Sequence, residues 1–539
     1  MAARTAPMRL ALLRRHTLAA AFAMLAVIAL VSTGAVAKDL RVTLAIEPTS
    51  IDPHFQLASA NTAFATHLFD RLVHMNETQQ LAPGLALSWA AVDPLTWEFK
   101  LRPGVTFHDG SPFTADDVVF SLGRAVDVAG SPAGFGLYLR GKTVRKVDDL
   151  TVRISTATPY PLMAHDLATI AIVSKKYGST ATTADYNTGK AAIGTGPYKF
   201  AVFVPGERIE VTANPAYWGA KPAWDRVVLR PVRSGPARVA ALLAGDTDVI
   251  EDVPTTDIAK LKTDPRVAVT QTVSYRVVFL QLDQWRETTP FANAKDGGAI
   301  KNPFRTAKVR RAIAHAINRE GLVGRVMEGH ALPAAQLLPE GFGGLSQAAK
   351  VQSYDPEKAK RLLAEAGFPT GFKVTMHGPS GRYPSDTRVL EAIAQMLGKI
   401  GIEASIETMA PTTFFTRAST GADGQPEFSL FLAGWGAVTG ENASPLRSLL
   451  ATFDKATGIG ASNRGRYSSK AFDEALDAAL TTLDPEQVKA GLAKATDIAL
   501  GETAIIPLLH PLNSWASRKG FVVQGRADEA TTAMTIRAE

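Results

Sequence analysis

The chain has 539 residues, a formal net charge of +7 and no cysteine, and 46% of its residues are hydrophobic. The missing cysteine excludes disulfides, thiolate metal sites, cysteine nucleophiles and a lipid anchor on an N-terminal cysteine. A chain of this length exceeds a single hydrophobic core, so two or more lobes are expected.

The first 37 residues have the pattern of a secretory signal. They contain four arginines and no acidic residue, and a long uncharged run follows. Ala35 and Ala37 supply the small residues of a cleavage site, which predicts a mature start at Lys38 and a periplasmic protein that is not a lipoprotein. A transmembrane anchor is the alternative, but the apolar run is shorter than the ~20 residues that span a bilayer. The pair Arg14-Arg15 leaves both the general and the twin-arginine export routes open.

Loss of that segment leaves 54 basic and 51 acidic residues, a net charge of +3, which does not predict a nucleic-acid partner. The only basic cluster alternates with apolar residues at helical spacing and predicts a solvated helix face. It consists of Lys301, Arg305, Lys308, Arg310 and Arg311.

The first half of the chain predicts strands and hairpins. Alternation over Leu40–Leu44 predicts a strand, and Thr96–Arg102 predicts another, which we expect to form a hairpin with the run through Val105 and Phe107. Thr114 then has the features of a helix N-cap, since acidic residues follow it in the first turn.

The second half predicts an α/β unit. Asp355 and Pro356 begin a helix that Gly367 ends. A strand through Phe372 and Met376, a helix from Ser385 and a strand through Ile402 and Ile406 predict a crossover between parallel strands. The run 428–432 predicts a further strand.

Signatures of catalysis are missing from the sequence. It contains no phosphate-binding loop, no HExxH and no GxSxG, and Gly458-Ile459-Gly460 lacks the strand and helix of a dinucleotide fingerprint. His108-Asp109 precedes Gly110, where an aspartate commonly satisfies turn amides, so a turn is favoured over a metal or acid-base site. We therefore predict no catalytic residue, no metal site and no cofactor.

Six motifs resemble the dipeptide- and oligopeptide-binding proteins of ABC importers, the solute-binding protein family 5. The longest is LAPGLALSWAAVDPLTWEFKLRPGVTFHDGSPFTADDVVFSL at 81–122. The others follow in the family's order: IGTGPYKF at 193–200, AYWGAKP at 216–222, KVRRAIAHAINRE at 308–320, YDPEKAKRLLAEAGF at 354–368 and AGWG at 433–436.

This resemblance implies an α/β, two-lobed periplasmic-binding-protein (flytrap) fold with an extra subdomain inserted in the first lobe. It implies the following division: a signal peptide at 1–37, a first lobe built from 38–70, 193–285 and 509–539, the extra subdomain at 71–192, and the second lobe at 286–508. Crossings near 277–282 and 505–508 would join the lobes. A ligand that touches both lobes only when they close favours the closed form.

The resemblance also implies where a ligand binds. Trp435 is expected at the carboxyl end of its strand, where α/β sheets bind ligands. Arg464 and Arg466 form a pair of guanidinium groups suited to a ligand carboxylate. The expected ligand-binding set is Trp435, Thr439, Glu441, Arg464, Arg466 and Tyr467.

The sequence departs from the peptide-binding members at one position. They have an Asp three residues after this Trp, which pairs with the free amine of the ligand, and here Val438 takes its place. The nearest acid is Glu441, in a pattern closer to the glutathione-binding relatives. Simple dipeptides are therefore expected to bind less well than ligands with a modified or displaced amine.

The resemblance implies a monomeric transport receptor, not an enzyme, that delivers a small peptide or peptide-like ligand to an inner-membrane ABC permease with its ATPase. Other ligands on this fold remain open, namely glutathione, an opine, a glycoside or a metal chelate. A chemosensory receptor and a secreted hydrolase are the alternative functions, and for the hydrolase no nucleophile and base can be paired.

Overall fold

The computed structural model describes residues 38–132 and 134–539, so the predicted signal segment lies outside the described residues. The strands, numbered in chain order, are β1 (Asp39–Leu44), β2 (Val73–Met75), β3 (Leu81–Pro83), β4 (Ala86–Asp93), β5 (Thr96–Leu101), β6 (Lys142–Asp148), β7 (Thr151–Thr156), β8 (Tyr198–Val204), β9 (Arg208–Ala213), β10 (Arg226–Pro231), β11 (Val249–Glu251), β12 (Val267–Val273), β13 (Arg276–Leu282), β14 (Ala292–Asn293), β15 (Ala331–Pro333), β16 (Lys373–Pro379), β17 (Glu403–Met409), β18 (Leu430–Gly436), β19 (Ile506–Arg518), β20 (Phe521–Val523) and β21 (Ile536–Ala538).

The α-helices span Ser59–Leu68, Ala115–Ala125, Gly136–Leu139, Met163–Leu167, Lys175–Gly178, Thr183–Asn187, Gly235–Ala244, Thr255–Thr263, Ala307–Ala316, Arg319–Gly321, Pro356–Glu365, Asp386–Gly398, Pro411–Ser419, Ala443–Pro445, Lys470–Leu480 and Pro485–Gly501. Short 3-10 helices lie at Pro303–Arg305 and Ala533–Thr535, and π-helical turns at Leu322–Val326 and Leu446–Leu450. In the part of the chain that the structure describes, no helix is both long and apolar enough to cross a membrane.

Two α/β halves share one long strand, β19. Its first residues pair with β13 and β15, and its later residues pair with β11 and β12. The first half continues from β11 through β1, β10, β9 and β8, and the second from β13 through β18, β16 and β17. The chain therefore passes between the halves along a continuous strand.

A separate four-stranded antiparallel sheet, in the order β4-β5-β7-β6, lies in the segment between β3 and β8. Its own core contains Phe99, Val118 and Val152, all fully buried. This segment has a hydrophobic cluster distinct from those of the two α/β halves, in keeping with the α/β architecture with an insertion that the sequence predicted.

Most of the predicted elements are confirmed. The helix Pro356–Glu365 begins after Asp355, whose side chain accepts the Lys358 amide at 2.8 Å. Strands β16 and β17 are parallel and are joined through the helix Asp386–Gly398, as a crossover requires. Asp109 accepts the amide of Ser111 at 3.0 Å, which confirms its predicted role in a turn.

The predicted hairpin after β5 is wrong. The partners of β5 are β4 and β7, and Thr106 makes only an isolated bridge with Pro112. Val105 and Phe107 are buried at 2% and 3% exposure. They are apolar because they anchor a loop in the core of the inserted sheet, and this produces the same alternation as a strand.

The predicted solvated helix face is also corrected at Arg310, which is only 6% exposed. Its guanidinium donates to the carbonyl oxygens of Glu502 and Thr503 at 2.7 and 2.9 Å, and to two more beside its own helix. A long arginine can bury its stem and satisfy the free carbonyl groups at a helix end. Arg310 thus ties the helix Ala307–Ala316 to the end of Pro485–Gly501.

Candidate functional site

The carboxyl ends of β16, β17 and β18 form one edge of the second α/β half. Trp435 is the next-to-last residue of β18 and lies opposite Val277 of β13, so it is at the end of the strand where the sequence places it. The loop after β16 begins at the same edge and brings Arg382 and Tyr383 to it. Ligands of α/β sheets bind outside such an edge.

The loop after β16 is held in a fixed shape by Asp386. Its carboxylate accepts the backbone amides of Gly381, Arg382 and Tyr383 at 3.2, 2.8 and 3.1 Å. The Tyr383 hydroxyl accepts the Gly434 amide at 2.8 Å and donates to the Gly434 carbonyl oxygen at 3.2 Å. These contacts join the loop to β18 and fix the backbone from which Arg382 extends.

The guanidinium of Arg382 is held by an aromatic ring alone. Its Cζ lies 5.3 Å from the ring centre of Tyr383, and among residues 38–132 and 134–539 its side chain has no hydrogen-bond partner and no ion pair. Burial lowers its pKa, as does the neighbouring charge of Arg276. Arg382 was not predicted from the sequence, although it lies just beyond the carboxyl end of a parallel strand, near the edge at which Trp435 lies.

Trp435 presents a polar atom that the protein does not use. Its ring is half-buried against the cluster that contains Phe279 and Phe431. The indole Nε1 is buried and has no hydrogen-bond partner in the described part of the chain. Buried indole N–H groups normally have a partner, so this one is available to a ligand.

Arg276, at the start of β13, forms an ion pair with the C-terminal segment. Its Nε and Nη2 each donate to the carboxylate of Glu529 at 2.7 Å, and Ser274 donates to the same carboxylate at 2.9 Å. Burial opposes ionisation of Glu529, but the charge of Arg276 and its hydrogen bonds lower the pKa of that carboxyl. This ion pair joins the start of β13 to the C-terminal segment.

Glu441 lies in residues 439–447 of the second half, which face the inserted segment and are called the wall below. Its carboxylate accepts the Thr439 hydroxyl at 2.7 Å and the Ala443 amide. It lines a small cavity together with Tyr138 and Asp166 of the inserted segment. Burial raises the pKa of Glu441, against the opposing effect of His165.

The wall around Glu441 touches the inserted segment directly. Nδ1 of His165 lies 2.8 Å from the Thr439 carbonyl oxygen, and Arg447 donates to the Tyr160 hydroxyl at 2.8 Å. That hydroxyl in turn donates to Asp166 at 2.7 Å. The structure therefore brings Thr439 and Glu441 to an interface between two parts of the molecule.

The loop 463–467 separates its predicted ligand-binding residues. Arg464 donates through Nε to the Ser419 hydroxyl at 2.9 Å and lies over the ring of Phe415. Arg466 instead lies over Phe453 and donates to the Asn463 carbonyl oxygen at 3.1 Å. The two guanidinium groups therefore have different neighbours and do not form one fork.

Tyr467 has a place in the core of the second half. It is 4% exposed and packs edge-on against Phe472, and its hydroxyl donates to Glu502 at 2.8 Å. Burial and the nearby Glu502 raise its pKa. Its side chain is occupied by these internal contacts.

Val438 stands in apolar surroundings. It is half-buried and packs against the cluster formed by Tyr275, Leu338 and Ala437. Across the described residues, no group of three or more His, Cys, Asp or Glu side chains is placed to hold a metal ion. The site as a whole offers aromatic faces, an unused N–H donor and arginines, a set that suits an organic anion.

The chain is similar to known binding proteins over nearly its whole length. The family model for bacterial extracellular solute-binding proteins, family 5 Middle, matches residues 80–457. The glutathione-binding protein GsiB of Shigella dysenteriae is 29% identical over 483 residues, which are 88% of this chain and 89% of that protein. Heme-binding protein A of Haemophilus influenzae is 30% identical over 476 residues, 83% of this chain and 82% of that protein.

Among solved structures, the periplasmic binding protein DppA of Helicobacter pylori in complex with the peptide STSA superimposes with a TM-score of 0.77. It is 26% identical, and the match covers 93% of this chain and 98% of that one. The predicted two-lobed α/β fold of the periplasmic binding proteins is thereby confirmed.

Proposed function

The chain belongs to family 5 of the bacterial extracellular solute-binding proteins, and from this premise we propose that it captures a peptide-like solute in the cleft beside Trp435 and delivers it to an inner-membrane ABC permease. As a member of the family it is the substrate-binding component of an ABC importer and not an enzyme. The proposal adds the kind of solute, the residues that hold it and the periplasm as the place where it acts.

The observation that carries the proposal is the set of unused polar groups at the strand edge. Arg382 has no partner for its guanidinium in the described residues, and Trp435 has none for Nε1. Of the two groups, Nε1 of Trp435 is fully buried, and a buried donor without a partner costs stability unless a ligand supplies one. A peptide-like solute supplies both a carboxylate for the arginine and carbonyl oxygens for the indole.

The amine of the ligand is the second part of the proposal. An α-dipeptide bound with its ammonium group beside Val438 would leave a charge without a partner in an apolar setting, which costs about 3–5 kcal/mol. A ligand whose amine is modified or displaced, such as a γ-linked peptide, avoids this cost. Glu441 is the acid that would take the place of the missing aspartate.

Calorimetry with glutathione and a set of α-dipeptides tests this proposal. We expect glutathione to bind more tightly than the dipeptides, and Val438→Asp to raise dipeptide affinity by about tenfold or more, since it restores a charged partner. Val438→Asn is the control, because asparagine has the shape of aspartate without its charge. Tight dipeptide binding by the unaltered protein, indifferent to Glu441→Gln, would contradict the proposed specificity.

The domain division implied by the resemblance is part of the same proposal. The first lobe would consist of 38–70, 193–285 and 509–539, with 71–192 inserted and 286–508 as the second lobe. The separate antiparallel sheet of the inserted segment and the shared strand β19 support this division. Strand β13, at the end of 193–285, pairs with β18 of the second half and so lies at the predicted crossing between the lobes.

A further inference from the structure

A cavity of about 240 Å³ lies in the second half, outside the cleft described above. It is bounded by the helices Ala307–Ala316 and Pro485–Gly501, by the loop 334–352 and by the first residues of β19. None of the residues assigned to the cleft lines it. In another protein, an engineered apolar cavity of about 150 Å³ binds benzene. This cavity is therefore large enough for a small organic molecule.

The lining of this cavity is mostly apolar, and one wall is held in a fixed shape. Five of the lining residues are alanines, and four others are leucine, isoleucine or proline. The Ser346 hydroxyl donates to Asp497 and accepts the amides of Ala348 and Ala349 at 3.1 and 3.0 Å. The loop is thereby tied to the helix that it faces. A wall that is already in place lowers the cost of ordering the chain around a bound molecule.

Arg319 brings a buried positive charge to this cavity. It is 3% exposed and lines the cavity. Its Nε donates to the Pro507 carbonyl oxygen at 2.8 Å, and its Nη1 donates to the Ala314 carbonyl oxygen at 3.1 Å. Its Nη2 has no hydrogen-bond partner among residues 38–132 and 134–539, and protein atoms do not seal it off. This nitrogen is open to a group inside the cavity.

Comparison with the other buried arginines shows that Arg319 is the exception. Arg238 and Arg276 each form an ion pair with an acidic side chain. Arg310 has no acidic partner, but all three of its side-chain nitrogens donate to backbone carbonyl oxygens. In the described part of the chain, Arg319 has neither an acidic partner nor a full set of acceptors. Because buried charges normally have partners, a group from outside the chain is expected to complete this one.

The charges around the cavity favour an anion. Arg319 and Lys350 line it, and neither forms an ion pair within the described residues, while Asp497 is the one acid in the lining. The carbonyl oxygens at the end of the helix 485–501 would repel an anion, but arginine side chains already donate to them. Burial lowers the pKa of Arg319 to about 10, so it is still charged at neutral pH. One negative charge would therefore balance the lining.

We propose that this cavity is a second binding site, which takes a small monocarboxylate with a short aliphatic chain. The carboxylate accepts a charge-assisted hydrogen bond from Nη2 of Arg319, and the aliphatic chain lies against the alanines. The site goes beyond the proposed function, because it shares no residue with the cleft and requires no solute there.

Ligand-observed NMR titrations of the purified protein with hexanoate and with hexanamide, at low salt, test this inference. We expect hexanoate to bind about tenfold more tightly or better, because the amide has the same chain without the charge. Ala335→Leu fills part of the cavity and should weaken hexanoate binding by about tenfold. Ala404→Leu is the matched control, since Ala404 is a half-buried alanine of β17 that does not line the cavity.

Arg319→Gln should remove the preference for hexanoate over hexanamide. Arg238→Gln should keep it, because Arg238 is equally buried and also holds backbone carbonyl oxygens, but in the first half. Circular dichroism checks that each variant is folded. Failure of hexanoate to bind, equal affinities for the two probes, or hexanoate binding that is unchanged in Ala335→Leu would each overturn the inference. The proposed function is unaffected by these outcomes, since glutathione and the dipeptides test it separately.

Discussion

The side chain of Trp435 has two parts with different roles, the aromatic ring and the indole N–H group. Its ring packs against Phe279 and Phe431 of the second half, which serves the stability of the fold. Its indole N–H is buried without a partner in the described residues and so lowers that stability. The N–H group is available to contribute to ligand binding instead.

We expect Trp435→Phe to raise the Kd of a bound peptide-like ligand by about fivefold to tenfold, because one hydrogen bond is lost. The unfolding midpoint should fall only slightly, since most of the apolar ring remains. Trp285→Phe is the control, because that tryptophan is 40% exposed and stacks with Arg286. Equal effects of the two substitutions on affinity would contradict the role given to Nε1.

For single residues, the sequence indicates a position in the fold more readily than a contact partner. Trp435 was predictable because it stands in a motif at the end of a strand, whereas Arg382 follows the end of a strand but stands in none of the recognised motifs. The side chains of Arg464 and Arg466 point to different neighbours, partly because Arg466 has a left-handed backbone with φ of 52°. Their aromatic partners, Phe415 and Phe453, are distant in the sequence. Neither is visible in local spacing.

Among the elements, the wall 439–447 and the inserted segment meet through polar contacts. Tyr160 is central to them, because its hydroxyl accepts from Arg447 and donates to Asp166, and Lys142 lies 4.2 Å over its ring. These groups are on separate parts of the chain that a moving lobe would bring together or separate. The contacts therefore favour the arrangement in which the walls touch.

We expect Tyr160→Phe to weaken ligand binding by about tenfold, since hydrogen bonds to charged partners contribute about 1.5–3 kcal/mol. Calorimetry measures the loss, and circular dichroism checks that the fold is kept. Tyr177→Phe is the matched control, because its hydroxyl donates to Asp109 at 3.0 Å within the inserted segment and bridges no wall. An unchanged Kd in the Tyr160 variant would show that these contacts do not favour closure.

Elements with complete local signals were predictable, and elements defined by distant partners were not. The helix Pro356–Glu365 has its cap, its proline and its terminating glycine in one short stretch. The partners of β5 depend on how the core of the inserted sheet packs. The apolar residues after Pro103 are buried in that core without forming a strand beside β5. Arg310 resembled a surface residue because its carbonyl partners lie about 190 residues further along the chain.

For the molecule as a whole, the close approach between the wall 439–447 and residues 75–79 depends on Gly440. Its φ is 71°, and an added Cβ would lie 2.8 Å from the Gln79 carbonyl oxygen and 3.0 Å from the Met75 sulfur. A side chain at this position would hold these two parts of the chain apart. The sequence did not predict this contact, which depends on residues more than 350 positions earlier in the chain.

Closure is therefore expected to respond both to ligand and to position 440. Because a cleft between two lobes desolvates a ligand only by shutting on it, the radius of gyration from small-angle scattering should fall when saturating glutathione is added. Gly440→Ala should reduce this compaction and weaken binding. Gly424→Ala is the matched control, since its φ of 70° imposes the same backbone strain but its Cβ would meet nothing within 4 Å. A scattering profile that stays unchanged at saturation, confirmed by calorimetry on the same sample, would exclude binding by lobe closure.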